Sequence, residues 1–166
     1  MRLPGCGLIA GALLVLAAPV AADDFDTCYE ATGDVAIAAC DRAIASGHYS
    51  GTKLSQLYNN RGAEYRKKAE YGRAVADSSE AIRLDPGNAP AYVQRGTTYY
   101  KTGQYDPAIA DFGQAIRQDP QYAFALYLRG LAKRKQGDAA GGDADIAAAK
   151  AIHADIAAVI RRFVGD

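Results

Sequence analysis

The chain has 166 residues, with 19 Lys+Arg against 19 Asp+Glu for a formal net charge of zero, 49% hydrophobic residues and no Trp. That balance excludes the global basic field that nucleic acid or an anionic membrane would select, so no nucleic-acid partner is expected. Thirty-five residues are Ala, the best helix former and one depleted in strands, which disfavours all-β folds and, at this apolar fraction, disorder.

Taken from the N-terminus, Arg2 precedes an unbroken apolar stretch from Leu8 to Ala22. The stretch is shorter than the roughly 20 residues needed to cross a bilayer core as a helix, and Pro19 lies near its end. Val20-Ala21-Ala22 then offers small residues ahead of the polar Asp23-Asp24. Residues 1–22 therefore read as a cleavable signal peptide, with retention as an N-terminal anchor as the alternative. The reading implies a periplasmic or secreted protein with no stable membrane insertion after cleavage, and residues 23–166 as a single domain. Cys6 precedes the apolar run, which does not suit a lipoprotein, and leaves with the signal.

Two cysteines remain, Cys28 and Cys40, in a chain expected to meet an oxidising compartment. Gly33-Asp34 lies midway between them and reads as a turn, with Asp34 capping a helix that begins at Val35. Two antiparallel helices hinged there place the two thiols on facing surfaces, which suits a disulfide; a pair of free buried thiols is the alternative. Zinc has little support, because His48 and His153 lack metal-site spacing, and no metal or other cofactor is expected.

From residue 55 onward the sequence repeats. Tyr58-Asn59-Asn60-Arg61-Gly62 recurs as Tyr92-Val93-Gln94-Arg95-Gly96 and as Leu126-Tyr127-Leu128-Arg129-Gly130, 34 residues apart each time. The second half of the unit recurs too: Ala74 to Pro86 maps onto Ala108 to Pro120, and more weakly onto Asp145 to Ala149. In the third unit Tyr92, Gly96, Tyr99, Tyr105, Ala108, Phe112, Ala115 and Pro120 stand at fixed intervals. This pattern resembles the tetratricopeptide repeat family, of the exported bacterial type. The resemblance implies an all-α fold: a right-handed superhelical stack of antiparallel helical hairpins that acts as a non-catalytic interaction scaffold. The expected units are a degenerate first repeat at about 24–50, then repeats at about 55–88, 89–122 and 123–154, and a capping helix at about 155–164.

Local chemistry fits this organisation. Gly62, Gly96 and Gly130 interrupt helical patterns at a cost of about 1 kcal/mol each relative to Ala, which is reasonable where a partner helix approaches closely. Gly103 is expected as a left-handed helix end, and Asp106-Pro107 as the N-cap and first residue of the next helix. Tyr58, Tyr65, Tyr71, Tyr92, Tyr99 and Tyr105 fall on the repeat and are expected in the core. In the last segment Ile156, Val159, Ile160 and Phe163 form an apolar stripe, expected to cap the stack; the same stripe would serve as the seam of a homodimer.

Two further periodic series stand out. Arg61, Arg95 and Arg129 are each followed sixteen residues later by Asp77, Asp111 and Asp145. The chain has by then turned back along the first helix, so each Arg can face an Asp of its own unit or of a neighbour, as a ladder of partly buried structural ion pairs. The resemblance, in turn, implies that the first helix of each unit lines a concave groove. The groove positions are Gln56, Asn59, Ala63, Arg66 and Lys67; then Val93, Thr97, Tyr100 and Lys101; then Phe124, Tyr127, Leu131, Arg134 and Lys135. One basic edge with aromatic and apolar surface suits an unidentified protein or peptide segment carrying acidic and apolar residues. The Lys/Asn clamp that some family members use for a terminal carboxylate is missing: its positions hold Asn59, Ala63, Val93, Gln94, Phe124 and Leu128. An enzyme is not expected, since no Gly-rich phosphate loop, serine elbow or thiol–imidazole pair is present. A non-catalytic accessory subunit of an envelope complex and a self-associating structural protein remain the alternatives to a groove-binding module.

Overall fold

The 34-residue period folds as helical hairpins. The computed structural model describes residues 23–164. The signal-peptide expectation for residues 1–22 lies outside the described residues. The described elements are α1 (Asp23–Glu30), α2 (Gly33–Ala45), α3 (Gly51–Lys67), α4 (Tyr71–Leu84), α5 (Ala89–Lys101), α6 (Tyr105–Gln118), α7 (Ala123–Gln136), α8 (Ala139–Ile152) and α9 (Ile156–Val164). All regular structure among the described residues is helical, and no helix among them is long and apolar enough to cross a membrane.

The helices pair as α1/α2, α3/α4, α5/α6 and α7/α8, and each hairpin packs on the next. First helices also touch one another along the stack, α1 with α3, α3 with α5 and α5 with α7, so they line the inner side of its curvature. Helix α9 lies against α7 and α8 and covers the end of the stack.

Small residues set the hairpin spacing. A Cβ at Gly130 would lie 2.6 Å from the Gly142 carbonyl oxygen, and one at Gly96 would lie 2.9 Å from the Phe112 ring. Neither contact leaves room for a methyl group, so the glycines let α7 meet α8, and α5 meet α6, at near backbone contact. Around these approaches the core is built from Ala: Ala74, Ala81, Ala108, Ala115, Ala125, Ala132 and Ala149 are fully buried, with Leu57, Phe112 and Leu128 as the large fully buried side chains. Most of the repeat tyrosines are only half-buried. Tyr65 alone of the six reaches full burial, since a phenol at the hairpin rim keeps its hydroxyl near water.

Helix ends differ from expectation at two places. The first turn of α2 starts at Gly33, with φ +65, after Thr32, and Asp34 sits inside that turn with its carboxylate paired to Lys68 instead of capping. Likewise α6 starts at Tyr105 after Gln104, which places Asp106 and Pro107 within the first turn. Pro107 still costs no hydrogen bond there, because the first four helical N–H groups have no intrahelical acceptor. Gly103 does adopt the left-handed conformation, φ +75.

In the first hairpin Cys28 and Cys40 form a disulfide, with Sγ atoms 2.05 Å apart. It joins α1 to α2 within a small core of Ala39, Cys40, Ala43 and Leu57. Helix α1 has only eight residues, so the covalent link supplements what its short apolar face contributes.

Candidate functional site

The Arg and Asp series lie along the stack. Arg61 donates from Nε and Nη2 to both carboxylate oxygens of Asp77, at 2.8 and 2.7 Å. Arg95 does the same to Asp111 at 2.8 Å twice, and Arg129 to Asp145 at 2.7 Å twice. Each pair therefore sits within its own repeat in the parallel two-bond geometry that guanidinium favours. Arg61 also reaches back to Asp41 on α2, from Nη1, at 2.6 Å. The hydrogen bond to Asp77 raises the Arg61 pKa above its ordinary value, and the bond to Asp111 raises that of Arg95. For Asp145, burial alone would raise the pKa, but hydrogen bonds from Arg129 and Lys133 outweigh it and hold the carboxyl below its ordinary value.

On the inner side, residues of α3, α5, α7 and α9 enclose a cavity of about 360 Å³. Asn59, Ala63, Arg66 and Lys67 come from α3, Pro90, Val93 and Gln94 from α5, and Phe124 from α7; Tyr122 and Phe163 close it. Past Asn59 and Pro90 the space continues into a second cavity of about 230 Å³, lined by Tyr29, Thr52, Gln56, Asp85 and Asn88. Together they make a groove running from the first hairpin toward α9.

The groove contains one buried donor and one buried acceptor with no partner among the described residues. Gln94 is 6% exposed; its Oε1 accepts from Arg66 Nε at 3.3 Å, and its Nε2 has no acceptor. Asn59 Oδ1 on the facing helix is likewise buried without a donor. Leaving a buried polar group unmatched costs about 1–3 kcal/mol, so the two atoms are exceptions to the pairing of buried polar groups.

The structure redistributes the expected basic edge. Arg66 is 4% exposed, and its guanidinium carbon lies 4.4 Å from the centroid of the Phe163 ring. Burial lowers its pKa from the ordinary arginine value. Arg66 is thus committed to Gln94 and Phe163 and is not an open cation. Lys67 remains half-exposed while its Nζ meets Glu64 at 2.5 Å. Val93 and Thr97 are buried, Thr97 through a hydrogen bond from its hydroxyl to the Val93 carbonyl, because the curvature closes α5 between its neighbours. Tyr100 stacks at a tilt on Tyr105 with ring centroids 5.8 Å apart, and Tyr127 packs on the C-terminal core. Lys101 and Lys135 are exposed, and Arg134 pairs loosely with Asp143 at 3.6 Å. Of the groove positions expected from sequence, Asn59, Ala63, Arg66, Lys67, Val93 and Phe124 line the cavity and Gln56 lines its continuation, whereas Thr97, Tyr100, Lys101, Tyr127, Leu131, Arg134 and Lys135 line neither.

Pro90, Tyr122 and Phe163 also line the cavity, as does Gln94 from a position of the missing clamp, and none of the four is among the expected groove positions. For Phe163 a signal existed: it closes the apolar stripe of α9. Its ring meets Phe124 edge-on at 4.8 Å, which seats α9 across the mouth of the groove. No group of three or more His, Cys, Asp or Glu that could hold a metal occurs among the described residues.

Comparison with known proteins places this architecture. Three family models match, two described as tetratricopeptide repeat over residues 55–88 and 79–110 and one as TPR repeat over residues 96–137. The chain therefore carries tetratricopeptide repeats, stacked as a helical solenoid. Similar solved structures include the first TPR of Spaghetti (RPAP3) bound to the HSP90 peptide SRMEEVD, 18% identical, with a TM-score of 0.63 over 70% of this chain and 95% of that one. MamA is 22% identical, with a TM-score of 0.65 over 75% and 70% of the two chains. YrrB, described as a TPR protein with an unusual peptide-binding site, is 21% identical, with a TM-score of 0.64 over 77% and 65%. At these identities the likeness is one of fold. No curated protein sequence matches the chain.

Proposed function

We propose that this protein is an exported, non-catalytic interaction module that binds an extended peptide segment of a partner protein in the groove between α3, α5 and α7. The observation that carries the reading is the unmatched pair, Gln94 Nε2 and Asn59 Oδ1, on two residues that line one cavity. A peptide unit supplies the complement, a carbonyl to accept from Gln94 and an N–H to donate to Asn59. Ala63, Val93, Phe124 and Phe163 give an apolar seat for a neighbouring side chain. That solved neighbours with this fold include one holding a peptide supports the class of ligand. Export is supported by the residues of 1–22 and by the Cys28–Cys40 disulfide, which persists in oxidising compartments such as a periplasm.

The test is selection of peptides from a random display library on the full chain, followed by titration of a selected peptide. Gln94→Met keeps the volume and removes the donor, and should weaken binding about tenfold, the worth of one well-made buried hydrogen bond. Equal affinity for the variant and the wild type would remove the groove from the account.

Self-association is the second reading, and one observation favours it: Ile152 and Val159 are 44% and 43% exposed at the C-terminal end. Ile160, at 3%, is internal to the cap, so only Val159→Asp probes the seam without unseating α9. Light scattering on that variant separates a dimer from a monomer.

A further inference from the structure

A further cleft is lined by residues of α4, α5, α6 and α7. Asp41, Ser79 and Gly113 hold the same station on α2, α4 and α6, one hairpin before each ladder arginine. Arg61 Nη1 donates to Asp41 at 2.6 Å, and Arg95 Nη1 donates to Ser79 at 3.1 Å. At Arg129 that station is Gly113, which has no side chain to accept. Packing does not demand this glycine, because a Cβ there would meet nothing nearer than Arg117 Nη1 at 3.8 Å.

Two neighbouring positions change in the same electrostatic direction. Arg83 pairs with Glu80 at 2.6 Å, whereas its successor Arg117 finds the neutral Gln114 at 3.0 Å. Where Tyr65 and Tyr99 stand in the earlier repeats, the fourth has Lys133, whose Nζ shares Asp145 with Arg129 at 2.9 Å. Around the α4/α5 cleft, Arg61, Arg83 and Arg95 are matched one for one by Asp77, Glu80 and Asp111. Around the α6/α7 cleft, Arg95, Arg117, Arg129 and Lys133 face only Asp111 and Asp145, an excess of two positive charges. These cations converge on one cleft of about 600 Å³ with Ile82, Ile109 and Tyr92 in its wall.

We propose that this cleft binds an acidic segment of a partner protein, two neighbouring Asp or Glu side chains whose charge equals the excess. Carboxylates accept from Arg129 Nη1 and Arg117, the donors that the acceptors of the earlier repeats no longer occupy, and Lys133, which shares Asp145 with Arg129, adds the further positive charge. The apolar wall suits a chain segment with an aliphatic residue beside the acidic pair, which an isolated inorganic anion would leave unused. The site is independent of the inner groove, so either can be present without the other.

The probe is the capped tetrapeptide Gly-Glu-Glu-Gly, titrated into the 15N-labelled full chain at low salt, with Gly-Gln-Gln-Gly and inorganic phosphate as comparators. Expected are saturable shifts at Gly113, Gln114 and the Arg129 Nε–H, absent with the Gln peptide and weakened at least tenfold in 0.5 M salt. The double variant Gln114→Glu with Lys133→Tyr restores residues that earlier repeats carry at these stations, so it preserves the fold and should lose at least tenfold in affinity. Gly113→Asp, which returns a partner to Arg129, should weaken binding in the same direction. Unchanged affinity in both variants would overturn the site. Shifts confined to α3, α5 and α9, or phosphate binding as tightly as the Glu peptide, would overturn the assignment of an acidic segment to it.

Discussion

Arg66 lies beneath Phe163, with its guanidinium carbon 4.4 Å from the ring centroid, and so the first helix of the second repeat touches the last helix of the chain. The contact ties the cap to the groove: Phe163 also meets Phe124 edge-on, and all three residues line one cavity. Removing the ring should therefore be felt at Arg66. In Phe163→Ala the Arg66 Nε–H resonance should move downfield as the ring current is lost, and the melting temperature should fall by a few degrees, in line with about 1 kcal/mol for a partly desolvated cation–π contact. An Arg66 resonance that does not move would place α9 elsewhere.

The Arg95–Asp111 rung of the ladder is made of two hydrogen bonds of 2.8 Å, and Asp111 is 5% exposed. Asp111→Ala would leave Arg95 half-buried without its carboxylate. Breaking a fully buried pair costs about 3–5 kcal/mol, and the partial exposure of Arg95 reduces this to about 2 kcal/mol. Thermal unfolding should register a fall of roughly 5–8 °C, while a surface control such as Asp143→Ala should stay within a degree or two.

The disulfide closes a short loop across the first hairpin, which corresponds to about 3 kcal/mol in the loop-entropy account. Reduction, or the Cys28→Ser Cys40→Ser double variant, should lower stability by that order and increase hydrogen exchange in α1 and α2 before α5 to α8. Uniform exchange along the stack would show the first hairpin to be no weaker than the rest.

Asp145 gives the ladder a pH dependence. Its folded pKa lies below the ordinary carboxyl value, because the bonds from Arg129 and Lys133 outweigh burial. A depressed folded pKa contributes stability above the unfolded value of about 3.9, lost as pH falls through the lower folded value. Denaturant midpoints measured from pH 5 to pH 2 should fall less steeply for Asp145→Asn than for the wild type. Parallel acid limbs would assign that loss to other carboxylates.

How far these features could be read from the sequence depended on whether they repeat. Arg95 and Asp111 are visible as a pair because a 34-residue period gives every unit the same helix-to-helix facing, so a fixed spacing of 16 implies a fixed contact. Gly96 and Gly130 are visible for the same reason: close contact between paired helices leaves no room for a side chain. What the period does not govern was not legible. Phe163 stands outside the repeat, so nothing local says that it reaches Arg66 rather than solvent or a second copy. Thr97 is a groove position by register, yet the curvature of the stack buries it, and Val93 lines the cavity with only 3% of its surface exposed. Gln94 was legible only as a position of the missing clamp, since an unmatched amide nitrogen is a property of its surroundings and not of its residue type. Asp34 and Asp106 misplaced two helix starts by two residues each, because the preceding turn had already entered helical geometry.

The central claim, that the inner groove takes a peptide backbone between α3 and α5, is tested most directly by the side-chain amide resonances of Asn59 and Gln94. With a display-selected peptide added to the 15N-labelled chain, the Gln94 Nε2 protons should shift downfield on hydrogen bonding and the Asn59 amide should shift with them, saturating at the same peptide concentration. Saturable binding that leaves both amides unmoved would contradict the account.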